Sequence, residues 1–183
     1  MTSPVSTNSF TQRLIGAVAL DSTIYEEVEA DKSALGQAMS VVLLSGLAAG
    51  IGSRGLGGTT VSGVAFITIV SLIAWAAWAF VVLAVGGRLM PEKETRVDAG
   101  ELLRTIGFAS APGLLRVLGV MSAATIPVFA VTAIWMLLAM IVAVRQALDF
   151  RSTARAVVVC AVGWLLAVAI AVFLGLFFGP AVA

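Results

Sequence analysis

The chain contains no histidine, a single cysteine and a single tyrosine, and only 11% of its 183 residues are charged. Without histidine there is no imidazole for acid–base work or for the commonest metal sites. The lone Cys160 allows no disulfide within the chain. Soluble domains carry about 25% charged residues, so this chain has too few charges to cover a water-facing surface. With 60% hydrophobic residues, it reads as an integral membrane protein of one compact domain. A net charge of +1 gives no reason to expect nucleic acid as a partner. The opening "MTSPVSTNSFTQR" has no apolar core and no small-residue cleavage site, so no signal peptide is expected.

A transmembrane helix needs about 20 mostly apolar residues. Four uncharged runs qualify: 34–51, 63–85, 126–144 and 156–178. A fifth segment, 101–121, is apolar but broken by Pro112 and Arg116. Positive charge decides whether it crosses, because Lys and Arg collect in cytoplasmic loops. With five crossings, nine of them (Arg13, Lys32, Arg88, Lys93, Arg96, Arg104, Arg145, Arg151 and Arg155) share one side, and Arg54 alone lies on the other. With four, the Arg-rich loop after 126–144 falls on the wrong side. The expected fold is therefore an all-α, polytopic helix bundle with five transmembrane helices. Residues 1–33 form a cytoplasmic tail and residues 34–183 the membrane domain. The expected location is the inner (cytoplasmic) membrane of a cell, with the N-terminus in the cytoplasm and the C-terminus outside.

The tail holds two short helical patterns. "NSFTQRLIGAVAL" places Phe10, Leu14 and Val18 on one stripe, with Ser9 and Gln12 spaced as a capping box. It suits either a helix packed under the bundle or an amphipathic helix in the inner interface. The narrow apolar face and the flanking Arg13 favour the interface. "DSTIYEEVEADKS" follows, with Thr23 and Glu26 as a second capping box. Its acids Glu26, Glu27, Glu29 and Asp31 form a solvated face or a patch that meets basic groups, of a partner or of this chain. In "GGRLMPEKETRVDAGELL", Asp98 and Glu101 suit a helix cap. "GSRGLGGTTVSG" resembles a phosphate loop only superficially, lacking the G-K-[ST] lysine and a preceding strand, and reads as a connector.

Small residues let membrane helices approach closely. Gly46 and Gly50 form one G-x-x-x-G pair and Gly175 and Gly179 another; packing within the bundle is favoured over self-association. Gly107 and Pro112, in the broken segment, are further candidates for helix packing. Trp75, Trp78, Trp135 and Trp164 fall toward span centres and read as bundle filling. Arg145 and Asp149 stand at i, i+4 beside Gln146, Arg151 and Arg155, making a polar cluster at the inner mouth. Arg116 lies well inside an apolar stretch, where a charge is expensive. Its side chain leans toward the helix N-terminus, back into the membrane. It is either a structural lock onto backbone acceptors freed at Phe108 by Pro112, or a site for a ligand or lipid headgroup.

Taken in order, "YEEVEADKSALGQA", Gly86–Gly87, "GFASAP", "IWMLLAMIVAVRQALDF", "STARA" and "GWLL" resemble the Yip family, over about residues 10–179. These are integral membrane proteins named for interaction with Ypt/Rab GTPases. The resemblance implies five spans, a cytoplasmic N-terminus and no catalytic residues to carry over, with roles of eukaryotic members in vesicle trafficking, membrane shaping and GTPase recruitment; no cofactor is expected. The Ala/Val/Gly-rich form is similar to the prokaryotic branch, and the short tail argues against GTPase binding.

No span holds paired acids, Lys or His, so neither a carboxylate relay nor a nucleophile–base pair is available. The expected function is a non-enzymatic scaffold in the lipid bilayer, organising membrane or partners through a protein partner or self-association, or serving as an accessory subunit of a larger complex. The alternative is a small transporter or channel with a site near Arg116 and Pro112.

Overall fold

A computed structural model describes residues 8–57, 59–92, 95 and 97–178, with side chains described through 166 and at 169. Among the described residues there are seven α-helices and no strand. Helix α1 (Phe10–Val18) starts on the expected box: Ser9 N–H donates to Gln12 Oε1 at 2.8 Å, and Gln12 N–H to Ser9 Oγ at 3.4 Å. Helix α2 (Ser22–Ala30) starts earlier than Thr23 and Glu26 suggest, because Asp21 accepts from the Thr23 N–H at 3.0 Å and caps it first. A 3-10 turn, Lys32–Ala34, leads into α3 (Leu35–Gly52). Helix α4 (Val61–Val82) continues as π-helix through Leu83–Leu89, across the Gly86–Gly87 pair. Helices α6 (Thr125–Ala147) and α7 (Thr153–Phe178) complete the bundle.

Among the described residues, three helical stretches are long and apolar enough to cross a membrane: Lys32–Leu56, Val61–Leu89 and Thr125–Ala147. They contain the expected runs 34–51, 63–85 and 126–144. The run 156–178 falls within α7, which extends for 26 residues. The expected helix over 101–121 is instead two pieces. Helix α5 (Ala99–Phe108) starts on the Asp98–Glu101 capping box, and a 3-10 segment, Ala111–Val120, follows. Pro112 cannot donate to the Phe108 carbonyl, and Gly113 N–H bonds back to Ser110 at i−3. Three residues per turn then replace 3.6.

Helix α3 is the axis of the packing. A Cβ on Gly46 would lie 3.1 Å from Ser71 and Thr68, and one on Gly50 2.9 Å from Val64, so the G-x-x-x-G face abuts α4. The third segment follows another face. Gly107 backs onto Ala38, Gly113 onto Ser45, and Arg116 onto Gly52, where a Cβ would sit 1.9 Å from the Arg116 carbonyl oxygen. Pro112 is buried between. Gly179 lies outside the described residues, and Gly175 within the part of α7 whose surroundings are not described.

Two apolar clusters lie toward the end of the bundle that carries α1 and α2. Leu102, Ile106, Val144, Leu148 and Val159 anchor one. Tyr25, Val28, Val41, Phe108 and Ala139 anchor the other, and Phe10, Leu14 and Val18 of α1 pack on it. Thus α1 lies against the bundle. Trp75 and Trp135 fill the bundle and donate to the carbonyls of Leu103 (3.1 Å) and Val18 (2.8 Å). Trp164 departs from that expectation and is exposed on α7.

Candidate functional site

Three helix ends converge on a polar cleft of about 530 Å³. Helix α2 supplies Glu26, Glu29 and Ala30; α5 supplies Glu101; the end of α6 supplies Arg145 and Gln146, and the turn beyond it Asp149, Phe150 and Arg151. Of the residues singled out in the sequence, the fold brings together Glu26, Glu29, Arg145 and Asp149. Glu27 and Asp31 lie on another side of α2.

The C-terminus of α6 shapes one wall. Asp149 adopts φ 52°, with its N–H on the Gln146 carbonyl at 2.9 Å, and Phe150 N–H reaches the Arg145 carbonyl at 3.0 Å. This is a Schellman cap with aspartate where glycine is usual. Because the helix ends at Ala147, Arg145 and Asp149 do not form the i, i+4 pair that their spacing suggests. Arg145 Nε donates to the Phe150 carbonyl instead, at 3.4 Å. Gln146 Nε2 donates to Glu26 Oε1 at 2.6 Å and ties α6 to α2. Arg155 leaves the cluster to pair with Glu92 at 3.2 Å.

Four carboxylates against two guanidiniums make the cleft acidic. Burial, with Asp149 and Glu101 facing it, pushes the Glu29 carboxyl up to about 7; Arg104 opposes the shift and Glu26 adds to it. The buried Arg104 uses its guanidinium on backbone. Its Nε donates to the Val28 carbonyl at 3.0 Å, and Nη2 to that of Glu29. It thereby satisfies the last carbonyls of α2 and suits the negative end of that helix dipole.

On the far side of α2 sits an ion cluster around a buried arginine, which the spacing did not reveal. Arg13, with a side chain only 1% exposed, donates to Glu27 Oε1 at 2.9 Å, Asp31 Oδ2 at 2.7 Å and Gln37 Oε1 at 2.9 Å. Burial opposes its charge, but the hydrogen bonds to Asp31 and Glu27 outweigh that, and Arg13 titrates above its ordinary value. Hydrogen bonds from Ser33 and then from Arg13 hold the Asp31 carboxyl below its ordinary value. The sequence places Arg13 as an interface flank; in the fold it pins α1 to α2 and α3. Its partners stand 14 to 24 residues away, beyond any helical spacing.

Arg116 lies near the opposite end of the bundle. In the 3-10 segment it shares a face with Gly113 and Gly119, which back onto α3 and α6. Its Nε donates to Thr132 Oγ1 at 3.3 Å, and its guanidinium lies 5.4 Å from the Phe129 ring centroid. The hydroxyl of Thr132, not the carbonyl of Phe108, is thus its acceptor. Among the described residues it has no carboxylate partner. A cation–π contact contributes about 0.5–2 kcal/mol, and a charge at membrane depth costs at least about 2.5–3.5 kcal/mol.

No group of three or more Cys, Asp or Glu among the described residues is arranged to hold a metal ion. The Yip1 domain model matches residues 22–175. No curated protein and no solved structure matches the chain.

Proposed function

The chain belongs to the Yip1 domain family, and from that premise we propose that it is a non-enzymatic membrane scaffold whose polar cleft docks a basic segment of a partner protein at the cytoplasmic face. The observation that carries this reading is the cleft itself, about 530 Å³, in which four carboxylates face two guanidiniums. A Lys- or Arg-rich segment complements that balance. The apolar remainder of the bundle anchors the cleft at the bilayer.

Two features favour five crossings with the cleft inside. The third segment follows α3 from Ala38 to Gly52, 14 residues or roughly 20 Å of helix. Five crossings also put nine Lys/Arg on the cleft side and Arg54 on the other.

A photo-crosslinking residue in place of the exposed Ala30 tests the docking. The expected adducts join this chain to partner peptides richer in Lys and Arg than in Asp and Glu. Glu29→Arg with Asp149→Arg should abolish them. Adducts to acidic or purely apolar peptides, or adducts indifferent to the charge reversal, contradict the reading.

A further inference from the structure

We infer that the guanidinium of Arg116 binds a phosphate group, that of an anionic lipid headgroup, in the leaflet opposite the cleft. The inference rests on the third segment lying at membrane depth, not on what docks in the cleft.

Arg116 has five N–H donors, and the structure engages one, Nε to Thr132 Oγ1. The Phe129 ring takes part of the charge through its face. Neither partner carries a negative charge. Arg104 and Arg13 show how this fold treats its buried guanidiniums: each meets several acceptors, on backbone or on carboxylates. Among the described residues, Nη1 and Nη2 of Arg116 have no hydrogen-bond partner, and their geometry suits bidentate contact with phosphate.

The position favours a lipid. The Arg116 backbone is level with Gly52, the last residue of α3. The side chain reaches Thr132, seven residues into α6, about 10 Å along its axis. The guanidinium therefore spans from the rim of the bundle inward and is only half-buried. Leu118, Ile126 and Val131, on the same two elements, are exposed and apolar. A headgroup at Arg116 would leave its acyl chains over such side chains, whereas a free phosphate ion would leave them bare.

The test uses the purified full chain in detergent with dioleoyl phosphatidylglycerol, dioleoyl phosphatidylcholine or diacylglycerol, read by native mass spectrometry. Phosphatidylglycerol should be retained best and diacylglycerol least. Arg116→Gln should lower phosphatidylglycerol retention at least tenfold, and Arg116→Lys, which keeps charge but not the fork, should fall between. Glu26→Lys, in the cleft, should retain lipid like the parent, so failure of docking and failure of lipid binding are separable. Millimolar inorganic phosphate should not displace the lipid; if it does, the phosphate site stands and its source is the aqueous ion. Equal phosphatidylglycerol retention by the parent and Arg116→Gln, or equal retention of all three lipids, overturns the inference. If Arg116→Gln does not fold, Arg116→Lys decides, and parent-like selectivity for phosphatidylglycerol in that variant overturns the bidentate site.

Discussion

Gly52 and Arg116 meet backbone to backbone: a Cβ on Gly52 would stand 1.9 Å from the Arg116 carbonyl oxygen. The obstacle is main chain, so no rotamer change relieves it. Gly52→Ala should destabilise the bundle by about 3 kcal/mol or more, the upper range for overpacking. Gly36, in the same helix, has nothing within 4 Å of its Cβ position, and Gly36→Ala should stabilise by about 0.5–1 kcal/mol. Thermal unfolding in one detergent compares the two; similar melting temperatures would contradict the packing described.

Replacing Arg13 with Met leaves the Glu27 and Asp31 carboxylates beside a buried apolar side chain in place of the guanidinium that both now bond. Arg13→Met should cost about 2–3 kcal/mol, below the value for fully buried pairs because Glu27 and Asp31 stay 19% and 21% exposed. The sign of the pH dependence follows from Asp31. Its folded value lies below the ordinary 3.8, so its contribution is complete above that pH and is lost as pH falls through the folded value. The gap between parent and Arg13→Met should narrow on acidification below 3.8. A gap constant with pH would mean that Arg13 contributes packing alone.

The Glu29 carboxyl works the other way. Raised from 4.5 to about 7, it binds its proton more tightly folded than unfolded. Its protonated form favours folding, and that contribution disappears as pH rises from 4.5 through 7. Glu29→Gln should raise the unfolding temperature at pH 8 and change it little at pH 4. Allowing for solvent screening, the gain at pH 8 is about 1 kcal/mol. Equal effects at both pH values would show that the cleft does not perturb this group.

Asp149 sits at φ 52°, where glycine is usual. Asp149→Gly should stabilise the fold by about 0.5–1 kcal/mol by removing a strained conformation. It should also weaken Ala30 crosslinking, since it removes one of the four cleft carboxylates. More stability with undiminished crosslinking would detach Asp149 from the docking role.

Where local chemistry controls structure, the sequence was legible. Uncharged runs mark α3, α4 and α6 within a few residues, and Ser9–Gln12 and Asp98–Glu101 cap the helices their spacing indicates. Long-range packing was not legible. Pro112 signals a break, but nothing local says that a 3-10 segment follows, and that change of period turned Arg116 toward Thr132 rather than Phe108. The G-x-x-x-G spacing points to Gly46 and Gly50, while the tightest approach, at Gly52, is two residues further and on another face. Arg145 and Asp149 look paired until the helix ends between them. The cleft was half visible: its acids and arginines stand out as clusters, and only the fold shows that Glu101 joins them while Glu27 and Asp31 turn away to Arg13.

The proposed docking role requires that the cleft face the cytoplasm. Single cysteines in a Cys160→Ala background test it most directly, one replacing Ala30 in the cleft and one replacing Arg54 at the other end, both exposed. A membrane-impermeant thiol reagent is applied to intact cells and to inverted membrane vesicles. Arg54→Cys should label in cells and Ala30→Cys only in inverted vesicles. Labelling of Ala30→Cys in intact cells, with Arg54→Cys protected, would place the cleft outside and contradict the docking role.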